Sequence, residues 1–568
     1  MKTRSLGLLI TVAASAAVNL ALAPVVDDQR ARALGPRTEA GAPPEVAVPG
    51  ILLGAFRGLA VDYCWLRALR LEDEGKFYEA NDLARWISKL EPHLEQVWSH
   101  QAHNLAYNMS AAADGHEQRF RWISRAIELL RDEGIPLNPH APELYFMLSR
   151  IYSDKIGGPF DDWQIFLKKD LALVLSNAFG PLGEDPDLEG LVAAGDKLDP
   201  EAAALFAQLR ATDLLLDPER VGADGMLGWD EALHRAPRAL ELWKQAPPEV
   251  ARRVKCFFRA AWARNVLRLD PKKCLEVEQR YGPLDWRGCD ALSLYWAVEG
   301  ERAAAGLGKL RQGKERRRLE RLAINSVKHA ARRGRLIFEP DGTIFFAPEP
   351  RLALRAVALY DEAIANAVEA EKNGDRMTAE DWDDEAGAWR PSTDYTVYNY
   401  IASMREARKE FMAEAVQILS RYGEKEKAQR LYARLASESP ELKNESYDEF
   451  LNEMLNFEAV KEGATQITAY QIVSGNWVRA FMALALGDDT EALGRIALAD
   501  QVHGRWKKQV AKARAEGDLL AEQRLGTVDL GKIKDEAFKE ARARLSHRLQ
   551  VRLDERRGIL TESKEPPR

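Results

Sequence analysis

Small residues recurring at fixed intervals among larger apolar ones constrain this chain more than any other feature. In FMAEAVQILSRYGEKEKAQRLYARLASESP, residues 411–440, Phe411, Ala415 and Leu419 fall at i, i+4 and i+8, one face of a 3.6-residue period. Tyr422-Gly423 breaks the run, since glycine relaxes the chain at a helix C-terminus. A second run places Ala428, Leu431, Tyr432 and Leu435 on one face, and Pro440 stops it. Ala415 and Ala428 are small where two helices must approach, so the stretch predicts an αα-hairpin.

A second stretch repeats the pattern. VDYCWLRALRLEDEGKFYEANDLARWISKLEPH carries Ala68, Leu71, Gly75, Ala80, Ala84, Ile87 and Pro92 in the same order. At these positions the chain resembles the tetratricopeptide-repeat (TPR) family, whose unit of about 34 residues pairs two helices with small residues at the packing positions. Looser candidates follow at Trp98, Ala102 and Leu105, at Ala126 and Pro139, and at Trp477, Gly487 and Ala492. WSHQAHNLAYNMS (98–110) and YGPLDWRGCDALSLYWA (281–297) also resemble membrane-anchored bacterial TPR-like proteins of unassigned activity. The expected fold is therefore all-α, an irregular TPR-like αα-hairpin solenoid. The resemblance implies a curved inner surface lined by the first helix of each pair. Asp62, Trp65, Leu69, Glu72 and Asp73 would lie on it, followed by Gln96, Ser99 and His103, then Glu410, Ala413, Gln417 and Arg421.

Organisation along the chain follows from breaks in this periodicity. Leu6 to Val26 carries no charge, follows Lys2 and Arg4, and would span about 30 Å as a helix. It reads as a membrane anchor or, through Ala21-Leu22-Ala23, as a cleaved signal peptide. Pro24 after that site and the length of the run favour the anchor. Either way the body would be exported. Residues 27–50, rich in Pro, Gly and Ala, read as a tether. Helical hairpins are expected over 51–179, a middle helical region over 180–350, further hairpins over 351–498 and charged helices over 499–568. Leu545, Leu549 and Leu553 predict one long amphipathic helix in that last segment. GRLIFEPDGTIFFAP (334–348) predicts a small β-hairpin around Pro340-Asp341-Gly342, and residues 371–393 an acidic loop.

Charge and motifs then exclude several chemistries. With 81 basic and 88 acidic residues the formal charge is −7, which argues against a general nucleic-acid binder. GKLRQGKE (308–315) satisfies G-x-x-x-x-G-K but has Glu315 where a phosphate loop needs Ser or Thr. His100 and His103 share a helix face with His93 nearby, yet no third ligand completes a metal set and none is assigned. Cys274 and Cys289 are read either as a disulfide or as buried thiols. In the basic run 314–335, Leu319, Leu322, Ile324 and Val327 suit one helix face. Arg316, Arg317, Arg332 and Arg333 then lie outside it, as a solvated face or a site for an anionic ligand. No nucleophile elbow, paired-carboxylate motif or cofactor fingerprint is present, and Asp285 stands alone. The expectation is a non-catalytic envelope scaffold for a peptide or protein partner, without a cofactor. The alternatives are a structural subunit of a membrane complex and an α-helical enzyme acting on glycan.

Overall fold

The computed structural model describes residues 57–158, 161, 163–181, 184, 186–217, 220–221, 227–307, 309–338, 344–373, 380–383, 388–391, 400–422, 424–454, 466–517, 526, 529–545 and 547–556. The apolar run 6–26, the tether, Gly423 and the turn Pro340-Asp341-Gly342 lie outside these. No helix among the described residues is long and apolar enough to cross a membrane. The chain divides into two compact units, Met1–Val327 and Lys328–Arg568, the division falling within the helix Lys309–Arg333.

Among the described residues, the regular elements of the first unit are all helices. Arg57–Asp73 and Phe77–Leu90 fold back on each other through Gly75, whose φ of +73° is a left-handed conformation that glycine adopts without a Cβ clash. Ala68, Ala80 and Ala84 are buried, and Val61, Ile87 and Leu90 form one core cluster with Val97 of the next helix. Further helices begin where a carboxylate precedes proline. Asp199 accepts from the amides of Glu201 and Ala202, and Asp270 from that of Lys272, so N-cap and N1 proline act together. The centre of the unit is a seam of three helices, Pro142–Arg150, Cys289–Ala304 and Lys309–Arg333. Gly300 lets them meet: a Cβ there would stand 2.9 Å from Tyr145 and 2.8 Å from Leu319. Along the same seam, Ser149 donates to the Ser293 carbonyl at 2.6 Å and the Ser293 and Ser326 hydroxyls meet at 2.8 Å. Ser326 donates on to the Leu322 carbonyl at 2.9 Å.

In the second unit the end of the helix Lys309–Arg333 leads into the antiparallel strands Arg335–Phe338 and Ile344–Ala347, Arg335 opposite Ala347, where the sequence predicts them. Helices Pro350–Lys372, Tyr400–Arg421 and Lys425–Glu438 follow, with Ala415, Ala428, Leu431, Tyr432 and Leu435 buried. Gln466–Leu486 and Asp489–Ala515 turn on Gly487, φ +90°, and their core includes Trp477, Phe481 and Trp506. Arg335 joins the unit's start to this turn, donating to Asp488 at 2.9 Å and to the buried Glu491 at 2.6 Å.

Two expectations are corrected. The acidic segment 371–393 is not all loop: Glu380–Asp383 and Ala388–Pro391 pair antiparallel, with Trp382 opposite Trp389. Tryptophan is a strand former, and each of the two strands carries one. Nor do Leu545, Leu549 and Leu553 lie on one long helix. The chain leaves helix at Leu545, between Leu530–Arg544 and His547–Arg556. The last helix folds back so that Arg542 pairs with Asp554 at 3.0 Å, and Leu545 and Leu553 still reach one core.

The seam yields a paired prediction on glycines. Gly300→Ala forces the three helices apart and lowers the urea midpoint by the equivalent of about 1–3 kcal/mol. Gly504→Ala, in a helix with nothing within 4 Å of the added carbon, raises it by about 0.5–1 kcal/mol. Equal shifts in equilibrium unfolding would remove close approach as the reason for Gly300.

Candidate functional site

The helix Glu95–His103 meets Pro142–Arg150 and the first turns of Lys309–Arg333 at an open cleft of about 430 Å³. That size falls in the range of about 300–1,000 Å³ usual for ligand clefts. From the first helix come Glu95, Gln96, Ser99, His100 and His103; from the second Glu143 and Met147; from the third Glu315. The i, i+3, i+4 spacing of 96, 99, 100 and 103 puts these side chains on one face, while Val97, Trp98 and Ala102 hold the opposite face in the core.

Two aromatic rings back the imidazoles. Trp65, from the first hairpin, packs against His100 with centroids 5.0 Å apart, and Tyr107 stacks on His103 at 4.7 Å. Tyr107 sits in a π-helical turn, Asn104–Met109, that directly continues the cleft helix. Arg150 lies 5.6 Å from the Tyr107 ring centroid and is itself paired with Asp154 at 2.9 Å. Burial holds both imidazoles below the ordinary histidine pKa; Arg150 and His100 push His103 further down. Both are thus neutral donor–acceptor groups at pH 7.

The carboxylates are organised by one guanidinium. Arg318 donates to Glu143, stands 3.7 Å from Glu315 and covers the Phe146 ring at 3.5 Å. Ser99 donates to the other Glu143 oxygen at 3.1 Å. Glu315 Oε2 is buried with no hydrogen-bond partner among the described residues. Among these residues no lysine or arginine lines the cleft itself.

Gln96, Ser99 and His103 therefore converge on one cavity, and Trp65 supports it through His100. Asp62, Leu69 and Asp73 are exposed on the first hairpin, and the side chain of Glu72 lies outside the described residues. In the second unit Glu410 is exposed and Ala413 and Gln417 are half-buried, while the side chain of Arg421 is outside the described residues. Glu95, Glu143, Met147 and Glu315 were missed by sequence reasoning. Glu143 meets Ser99 across 44 positions, and no local pattern announces that. Glu315, the residue that disqualifies GKLRQGKE as a phosphate loop, is the one that reaches the cleft.

Other candidates take structural places. No group of three or more His, Cys, Asp or Glu side chains among the described residues is arranged to hold a metal ion. His93 meets the Leu137 carbonyl at 3.1 Å instead. Cys274 and Cys289 are not bonded to each other: none of the four cysteines forms a disulfide. Cys274 is fully buried on Pro271–Tyr281, where burial raises its pKa, and Cys289 packs toward Gly157. Arg316 is exposed and Arg317 and Arg333 are half-buried, but Arg332 grips Glu414 through two bonds of 2.5 and 2.6 Å, so a carboxylate already fills its fork. Asp285 is held by Arg287 at 2.8 Å, which also donates to the Pro181 and Glu184 carbonyls and so pins that connection.

No protein-family model matches the chain, and no curated protein matches it.

The depressed histidine pKa values give a pH signature. The unfolded chain binds protons there more readily, so their contribution to stability is complete above about pH 6.5 and is lost as pH falls through the lower folded values. His103→Gln is expected to flatten the fall in urea midpoint between pH 7 and 5. An unchanged pH profile would place His103 in solvent.

Proposed function

We propose that the chain is a non-catalytic binding scaffold of the bacterial cell envelope. In this reading it is built of TPR-like helical hairpins, held at the membrane through residues 6–26, and receives a segment of a partner protein. The observation that carries the reading is the cleft, where Gln96, Ser99 and His103 meet Glu143 and Glu315 around an opening able to admit a peptide side chain. Its lining supports recognition: neutral imidazoles backed by Trp65 and Tyr107, a thioether from Met147, and carboxylates whose directions are fixed by Arg318. Preorganised polar groups beside an apolar wall favour an anchored side chain, since little ordering remains to be done on binding.

A photo-crosslinking residue in place of Gln96, on full-length protein in its native membrane, tests this. The expected result is one discrete protein adduct, missing when the same residue replaces Glu410 and abolished by His103→Trp, which fills the cleft. No adduct at Gln96, or the same adducts from both positions, would sink the scaffold reading of this cleft.

A further inference from the structure

We infer that the cleft recognises a lysine or arginine side chain of the partner segment, an inference that rests on the peptide-binding reading of the same cavity. Three glutamates line the opening, and Arg318, which contacts Glu143 and Glu315, is not among the lining residues. Arg318 is shared between Glu143 and Glu315. It makes a hydrogen bond to the first and only a longer contact, 3.7 Å, to the second. Glu315 Oε2 is buried and has no hydrogen-bond donor among the described residues, only that longer contact, so it retains acceptor capacity for an incoming donor. Two further cations near the Tyr107 ring are engaged elsewhere, Arg150 by Asp154 and Lys155 by Asp161.

The remaining lining groups suit the same guest. Ser99 spends its proton on Glu143, and so presents lone pairs rather than a donor toward a ligand. The imidazoles of His100 and His103 are neutral and add no repulsion to an incoming cation. Met147 offers an apolar surface for the methylene stem of a long basic side chain, whose charged tip would then reach Glu315. An acidic side chain would meet three carboxylates, and an apolar one would leave Glu315 Oε2 unpaired.

Diethyl pyrocarbonate acylation, which attacks neutral imidazole, reads occupancy residue by residue on the full chain by mass spectrometry. The exposed His93 and His140 serve as internal references. Four probes are used: an acetylated, amidated alanine–serine peptide bearing two lysines, its glutamate counterpart, its uncharged counterpart, and butylammonium. The expected result is that the lysine peptide protects His100 and His103 but not the references, and that the other two peptides do not. Glu315→Gln, which keeps the shape and leaves Arg318 on Glu143, should raise the peptide concentration needed about tenfold. Protection by the uncharged or acidic peptide overturns the cation inference while peptide binding stands. Protection by butylammonium but by no peptide overturns the peptide reading and assigns the cleft to a free amine. Protection by none overturns both.

Discussion

The seam of Pro142–Arg150, Cys289–Ala304 and Lys309–Arg333 is the constraint on which the first unit depends. Three helices approach so closely that position 300 admits no Cβ, and the serines at 149, 293 and 326 pass hydrogen bonds through a buried zone. Each hydroxyl there has a partner, so polar atoms sit in the core without an unmade bond and fix the axial register of the helices. That register decides the cleft. Glu143 and Met147 lie on one of these helices and Glu315 on another. Sliding one helix by a turn, about 5.4 Å, would separate Arg318 from Glu143.

A second departure from ideal geometry shapes the other wall. Three π-helical turns, Asn104–Met109, Leu129–Gly134 and Ile151–Ile156, follow the helices Glu95–His103, Gly115–Glu128 and Pro142–Arg150. A π turn inserts one residue and rotates everything after it, and such turns concentrate where a side chain must be re-aimed. Here the rotation brings Tyr107 under His103 and within reach of Arg150 and Lys155. The Tyr107 hydroxyl is buried without a hydrogen-bond partner among the described residues, a cost carried by the structure next to its cleft.

Legibility in the sequence follows the range of the interactions. Helical hairpins are readable because their signal is local: Ala68, Gly75, Ala80 and Ala84 lie within one pair and are buried or left-handed as their spacing requires. One wall of the cleft is readable for the same reason, since Gln96, Ser99 and His103 share a helix face. Glu143 and Glu315 are not, because their convergence depends on the seam, and no spacing within a helix encodes it. The pairing of Glu380–Asp383 with Ala388–Pro391 is hidden by composition, its strands being rich in residues usually found in loops. The break at Leu545 is hidden by a periodicity that two short helices satisfy as well as one long one.

Charge patterns are the least readable feature, because most of the ion-paired arginines among the described residues are committed to carboxylates distant in sequence. Asp361 receives both Arg408, at 2.6 Å, and Arg434, at 2.6 and 2.7 Å, joining three helices of the second unit. Arg259, almost wholly buried, grips Asp230 at 2.8 Å, and Arg287 clamps the chain at Pro181. A run of basic residues in such a chain measures how much internal pairing is available rather than how much positive surface is offered. Removing a partner from a buried pair is worth about 3–5 kcal/mol, mostly the cost of the charge left behind. The informative sites are therefore those where the pairing does not close. In the cleft, one guanidinium faces two carboxylates and reaches only the first at hydrogen-bonding distance. The second keeps only the longer contact to that guanidinium, with no hydrogen-bond donor among the described residues.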